Sequence, residues 1–275
     1  MMHLTYDNTT SVALWMRVCK GRGFAVLRGM LLFAMLASLP LSAAHARDIA
    51  AEGRDVFDKY WETVVTVRAV VGMSIGGSER ESEQEANATL LTNDGLAVLA
   101  LSAIDPMQMG RRLRSDMNDL SSRVVSLRVI LADGTEERAE VVLRDEDLDL
   151  VFIRLVDPPD TPLRHVVFDK VGSPEMLDEV VCILQYGRVA RRAHAAFIER
   201  IEMIVERPRR FYAIGDHRAR DMVCSPVFTL AGEFVGIGVM RLITGASDPG
   251  FDDMMVIIVP AAQIEELLEQ IPPRD

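Results

Sequence analysis

From Val64 to Val259 the chain is a succession of short apolar runs closed by Gly, Asn, Asp or Pro, and this pattern limits its fold most. Runs of this length, rich in β-branched residues and bounded by turn formers, read as strands. Before the middle of the chain they are Val64–Met73, Ala86–Leu91, Leu96–Leu101, Val124–Leu131, Arg138–Leu143 and Leu150–Leu155. Thr92-Asn93-Asp94-Gly95 and Ala132-Asp133-Gly134 supply tight turns, and Gly76-Gly77 breaks the first run. Ser78–Glu85 reads as a polar, acidic loop, and Pro106–Arg123 as a surface insertion carrying Met107, Met109 and Met117 with Arg111, Arg112 and Arg114. After Asp157-Pro158-Pro159-Asp160, which has the composition of a linker, come Val180–Gln185, His194–Glu206, Arg210–Ile214, Val223–Leu230, Glu233–Leu242 and Met254–Val259. Six strands on each side of a linker predict an all-β protein of two six-stranded antiparallel barrels, each closed to remove its edges. A short amphipathic helix over Asp48–Trp61 precedes them, and a helix over Pro260–Ile271 follows.

The chain begins with a different signal. Arg17, Lys20, Arg22 and Arg28 form a basic segment ahead of the apolar run Met30–Leu41, which is short for a bilayer span. Ala44-His45-Ala46 then offers small residues at the two positions a signal peptidase reads, so residues 1–46 are expected to be a signal peptide cleaved before Arg47. The expected parts are 47–157, with the first barrel, and 158–275, with the linker, second barrel and final helix. The mature chain then holds 26 basic and 40 acidic residues, a net charge of about −14. That balance argues against binding nucleic acid or an anionic membrane surface. Export leaves a disulfide between Cys182 and Cys224 open as one alternative and two buried thiols as the other. No His or Cys cluster has metal-ligand spacing, and no cofactor is expected.

The stretch Asp221–Val239, D-M-V-C-S-P-V-F-T-L-A-G-E-F-V-G-I-G-V, has the outline of a nucleophile loop followed by two strands. It resembles the G-x-S-G-G-P loop of chymotrypsin-fold serine peptidases, with Pro226, Gly232 and Val235-Gly236-Ile237 in the corresponding places. Three more stretches are similar to the HtrA/Deg group of bacterial envelope proteases. Thr92-Asn93-Asp94-Gly95-Leu96 looks like that group's entry to the catalytic histidine. Leu131-Ala132-Asp133-Gly134 with Ala139-Glu140-Val141-Val142 looks like its hairpin, and Arg144–Val151 looks like the strand entry holding the catalytic aspartate. With the Val259-Pro260 lead into the last helix, the resemblance covers almost all of residues 60–271.

What the resemblance implies for chemistry is mostly loss. The histidine's place falls on Ser102, the aspartate's on Asp149, the serine's on Val223, and the oxyanion-hole glycine's on Asp221. A triad needs an imidazole to accept the proton and a hydroxyl to attack, and valine has no nucleophilic atom. Asp149 is expected instead as a hydrogen-bonded carboxylate, with Ser102 as a partner. The alternative nucleophile is Cys224, with His217 as its base; His165 and His194 read as surface or packing residues. Arg207, Arg209, Arg210, Arg218 and Arg220 read as a solvated basic hairpin. The peptide-binding PDZ module typical of the HtrA group is not expected after the final helix. The expected function is that of an exported, catalytically inactive relative of these proteases in the periplasm or envelope of a bacterium. Its partner would be a protein or peptide, with no stable membrane insertion after signal cleavage; an active peptidase built on Cys224 is the alternative.

Overall fold

The computed structural model describes residues 48–75, 78–105, 121–215, 219–242 and 254–274. The expected signal peptide, the insertion's residues 106–120, the break at Gly76-Gly77, and His217 with Arg218 lie outside the described residues. Alternating side chains and tight turns produce two barrels of the expected kind. Six antiparallel strands close each one, in the order β1-β2-β3-β6-β5-β4 for the first and β10-β11-β12-β9-β8-β7 for the second. The first barrel is built from β1 (Val64–Ile75), β2 (Ser78–Leu90), β3 (Leu96–Ala100), β4 (Ser121–Ile130), β5 (Glu136–Asp145) and β6 (Leu150–Leu155). The second is built from β7 (Glu179–Gln185), β8 (His194–Val205), β9 (Phe211–Ile214), β10 (Pro226–Thr229), β11 (Phe234–Leu242) and β12 (Met254–Pro260).

One strand expectation is corrected. Ser78–Glu85, read as an acidic loop, is the first half of β2, which pairs with β1 from Ser78 opposite Ile75 to Thr89 opposite Val64. The polar composition hid a strand whose glutamates sit every second residue. Glu83 and Glu85 lie opposite Val70 and Arg68, and both pair with arginines. Strands tolerate such a row when one face is solvated and its charges are matched.

Helix α1 (Ile49–Tyr60) starts at Asp48, whose Oδ1 accepts from the Ala51 N–H at 2.9 Å. It buries Val56 and Tyr60. The Tyr60 ring stacks on Phe228 of β10 at 4.2 Å, and its hydroxyl donates to the Gly232 carbonyl at 2.9 Å. Helix α2 (Ala261–Leu268) buries Ala261, Ile264 and Leu267.

The strand period decides where the core lies. On β7, Val180, Cys182 and Leu184 join the second barrel's interior, while Val181 and Ile183 join the larger cluster that also holds β1, β3 and β6. On β11, Val235 turns to the interior, and Phe234, Ile237 and Val239 turn to that shared cluster. These two strands are therefore buried on both faces, and the barrels share one apolar seam. Burial of a Val or Ile side chain is worth roughly 1.5–3 kcal/mol, so this seam is a main contributor to holding the barrels together.

Candidate functional site

Asp149 sits where the turn after β5 enters β6, with a left-handed backbone (φ 57°) and almost no exposure. The turn before it is fixed by Asp145, whose Oδ1 accepts from the Leu148 N–H at 2.8 Å. β3 pairs with β6 so that Ala100 lies opposite Leu150. That register places the 3-10 turn Leu101–Ala103 directly beside Asp149. Asp149 Oδ2 accepts from the Ser102 hydroxyl at 2.7 Å, and Oδ1 accepts from the Ser102 N–H at 2.9 Å. The Leu101 N–H donates to the Asp149 carbonyl at 2.9 Å. The serine side chain thus meets the carboxylate in the place the resemblance gives to an imidazole.

The second half of the site comes from the loop before β10. A 3-10 turn, Arg220–Met222, leads to Val223, Cys224 and Ser225. Cys224 has φ 67°, a conformation that glycine adopts freely and a branched or bulky side chain resists. Its N–H donates to the Gly238 carbonyl at 2.7 Å, and the Gly238 N–H donates to the Ser225 carbonyl at 3.1 Å. This lays the loop against β11. Any side chain at position 238 would stand 2.2 Å from the Met222 carbonyl oxygen, so the close approach requires glycine.

The two halves meet. The Ala100 N–H on the first barrel donates to Cys224 Sγ on the second at 3.3 Å. Ala103, half-buried Val223 and Cys224 line one cavity of about 360 Å³ between the barrels, together with Gln84, Asn87 and Gln185. Ser102 and Asp149 are therefore brought together, Cys224 meets the neighbouring Ala100, and Val223 and Cys224 line the cleft with Ala103. Asp221 is exposed on the 3-10 turn before Val223.

The chemistry available follows from these groups. Ser102 offers a hydroxyl bound to a carboxylate, which cannot take up and hold a proton as imidazole does. Val223 offers only methyl groups. Cys224 is buried, and burial pushes its thiol up to about 12; the Ala100 N–H opposes that rise and the Asp149 charge adds to it. It is a thiol at neutral pH, whereas an attacking cysteine needs a thiolate. Its suggested base, His217, lies outside the described residues. His194 Nε2 is 2.9 Å from the Val64 carbonyl and its ring meets Trp61 edge-on, and His165 Nδ1 is 3.2 Å from the Leu163 carbonyl. Both have packing or loop roles. Cys182 and Cys224 are free, buried thiols, and burial raises Cys182 as well. Among the described residues no group of three or more His, Cys, Asp or Glu is placed to hold a metal ion. Among them also, no helix is long and apolar enough to cross a membrane. The basic hairpin residues Arg207, Arg209 and Arg210 are exposed, as is Arg220.

Sequence reasoning missed the wall of the cleft. Glu85 on β2 accepts from Arg192 at 2.8 Å, from Arg188 at 3.0 Å and from Arg68 at 3.3 Å. Burial alone would raise its carboxyl, but the bonds from Arg192 and Arg188 outweigh that and hold it at about 2. Arg188 also reaches Glu83 at 2.7 Å, and Gln185 Oε1 accepts from the Thr66 hydroxyl at 2.6 Å. The only sequence signal was the Glu-x-Glu-x-Glu-x-Glu alternation over 79–85, which is a strand period and not a loop composition.

Comparison with protein-family models and with curated proteins returns no match for this chain.

Proposed function

We propose that this chain is an exported, catalytically inactive relative of trypsin-like, HtrA/Deg-type proteases that acts as a binding or regulatory domain in the cell envelope. The observation that carries the reading is the Ser102–Asp149 pair. At the position the resemblance gives to the aspartate, a carboxylate accepts from Ser102, at the histidine's position, at 2.7 Å, and Val223, at the serine's position, lines the cleft with Cys224. The two closed barrels and the cleft between them are what a retained scaffold requires, since fold and site are separable. The cleft is lined by the amides of Gln84 and Asn87 beside the apolar Ala103 and Val223, a lining suited to an extended peptide.

Fluorescence anisotropy of labelled, unfolded casein tests this. The mature protein is expected to bind it without cleaving it, and Val223→Arg, which fills the cleft, is expected to weaken binding about tenfold or more. Turnover that a single substitution abolishes would contradict the reading, as would binding that Val223→Arg leaves unchanged.

A further inference from the structure

The turn between β7 and β8 is built under strain. Arg191 and Arg192, at φ 54° and 55°, are consecutive non-glycine residues in the left-handed region. Such conformations persist where surrounding contacts over-determine them, and they gather at switches and clamps. Beyond the strand ends the turn holds itself through Tyr186 to Ala193 at 3.0 Å and Arg192 to Gly187 at 3.2 Å. Val189 at its tip is fully exposed.

The stem and the turn are held to the first barrel by different forces. At the stem, Thr66 bonds Gln185 and Val64 bonds His194, in partly buried surroundings. The turn beyond is held to β2 by ion pairs: Arg188 with Glu83 at 2.7 Å and with Glu85 at 3.0 Å, and Arg192 with Glu85 at 2.8 Å. Arg188 and Glu83 keep half or more of their side-chain surface in water, so salt screens that pair, while Arg192 and Glu85, only 19% and 21% exposed, are screened less. Gln185 and Gly187 of this hairpin line the cleft together with Glu85 of β2 and Cys224.

We infer that the β7–β8 turn is a salt-sensitive latch on the cleft. It holds the cleft's wall in place while Glu83 and Glu85 grip Arg188 and Arg192, and it swings away when those pairs break, exposing the floor at Cys224. This goes beyond the binding reading and does not depend on what the cleft binds.

Cys224 is its reporter. The full chain is pulsed with N-ethylmaleimide, and labelling of Cys224 and Cys182 is followed separately by peptide mass spectrometry. A parallel trypsin pulse measures nicking after Arg188 and Arg191. With Glu83→Gln and Glu85→Gln combined, both Cys224 labelling and nicking are expected to rise about tenfold in low salt, with Cys182 unchanged. In the unsubstituted protein 1 M NaCl is expected to raise both in the same direction by a smaller factor, which needs no variant to fold. Arg188→Gln alone is expected to give a smaller rise in both. The latch is overturned if salt leaves Cys224 labelling and nicking unchanged. It is equally overturned if Cys182 accelerates together with Cys224, because the opening is then of the whole fold.

Discussion

At the scale of single residues the site is defined by side chains that satisfy one another. Ser102 supplies both an N–H and a hydroxyl to Asp149, so the buried carboxylate has partners without an imidazole. Cys224 takes a left-handed backbone position and buries its thiol against the Ala100 N–H. Its folded thiol stands at about 12 against an ordinary 9.0. A thiol raised on folding contributes stability that is fully present below the unfolded value and is lost as pH rises toward the folded one. The unfolded chain ionises first. Between pH 9 and 12 the protein should therefore lose stability through this group, by about 2 kcal/mol at 1.5 pH units above the unfolded value. Urea unfolding of the parent and of Cys224→Ala at pH 8 and pH 10.5 checks it. The stability difference between them should shrink at the higher pH; a constant difference would mean that the thiol is not shielded as described.

At the scale of elements, β2 joins the two barrels electrostatically and β7 joins them by packing. Glu85 is the pivot of the first, with a carboxyl held at about 2, far below its ordinary 4.5. A depressed carboxyl contributes stability that is present above its unfolded value and is lost as pH falls toward the folded one. Glu85→Gln should cost about 1 kcal/mol at pH 7, and that cost should fade between about pH 4.5 and pH 2. Thermal unfolding across that range measures it, and a cost independent of pH would show that the network does not act through charge. The strands were legible where apolar period and turn chemistry agreed, as in Leu150–Leu155, which spans the residues expected. The first half of β2 was not, because it has no apolar face to mark it and its charges are satisfied by Arg188 and Arg192, about a hundred residues away in sequence. The Ser102–Asp149 contact was legible only through the family resemblance, since nothing local links residues 47 positions apart. The cleft's wall was not legible at all, because it forms only when two barrels meet.

At the scale of the whole molecule, two closed barrels share a seam whose strands β7 and β11 are buried on both faces. Such a seam holds the two barrels together, and the proposed inactive scaffold rests on it. The central claim, that the triad's places are occupied by residues that cannot catalyse, is tested most directly by labelling with a fluorophosphonate, which needs an activated serine and no particular substrate. The unmodified protein is compared with a variant carrying Ser102→His, Asp221→Gly, Val223→Ser, Cys224→Gly and Ser225→Gly. Cys224→Gly suits the left-handed backbone already present there, and Asp221→Gly removes a carboxylate from the position the proposed reading gives to an oxyanion-hole glycine, where one lost donor costs about 3–4 kcal/mol of barrier. The unmodified protein is expected to take no label, and the variant to be labelled at position 223. Labelling of the unmodified protein at any serine would contradict it.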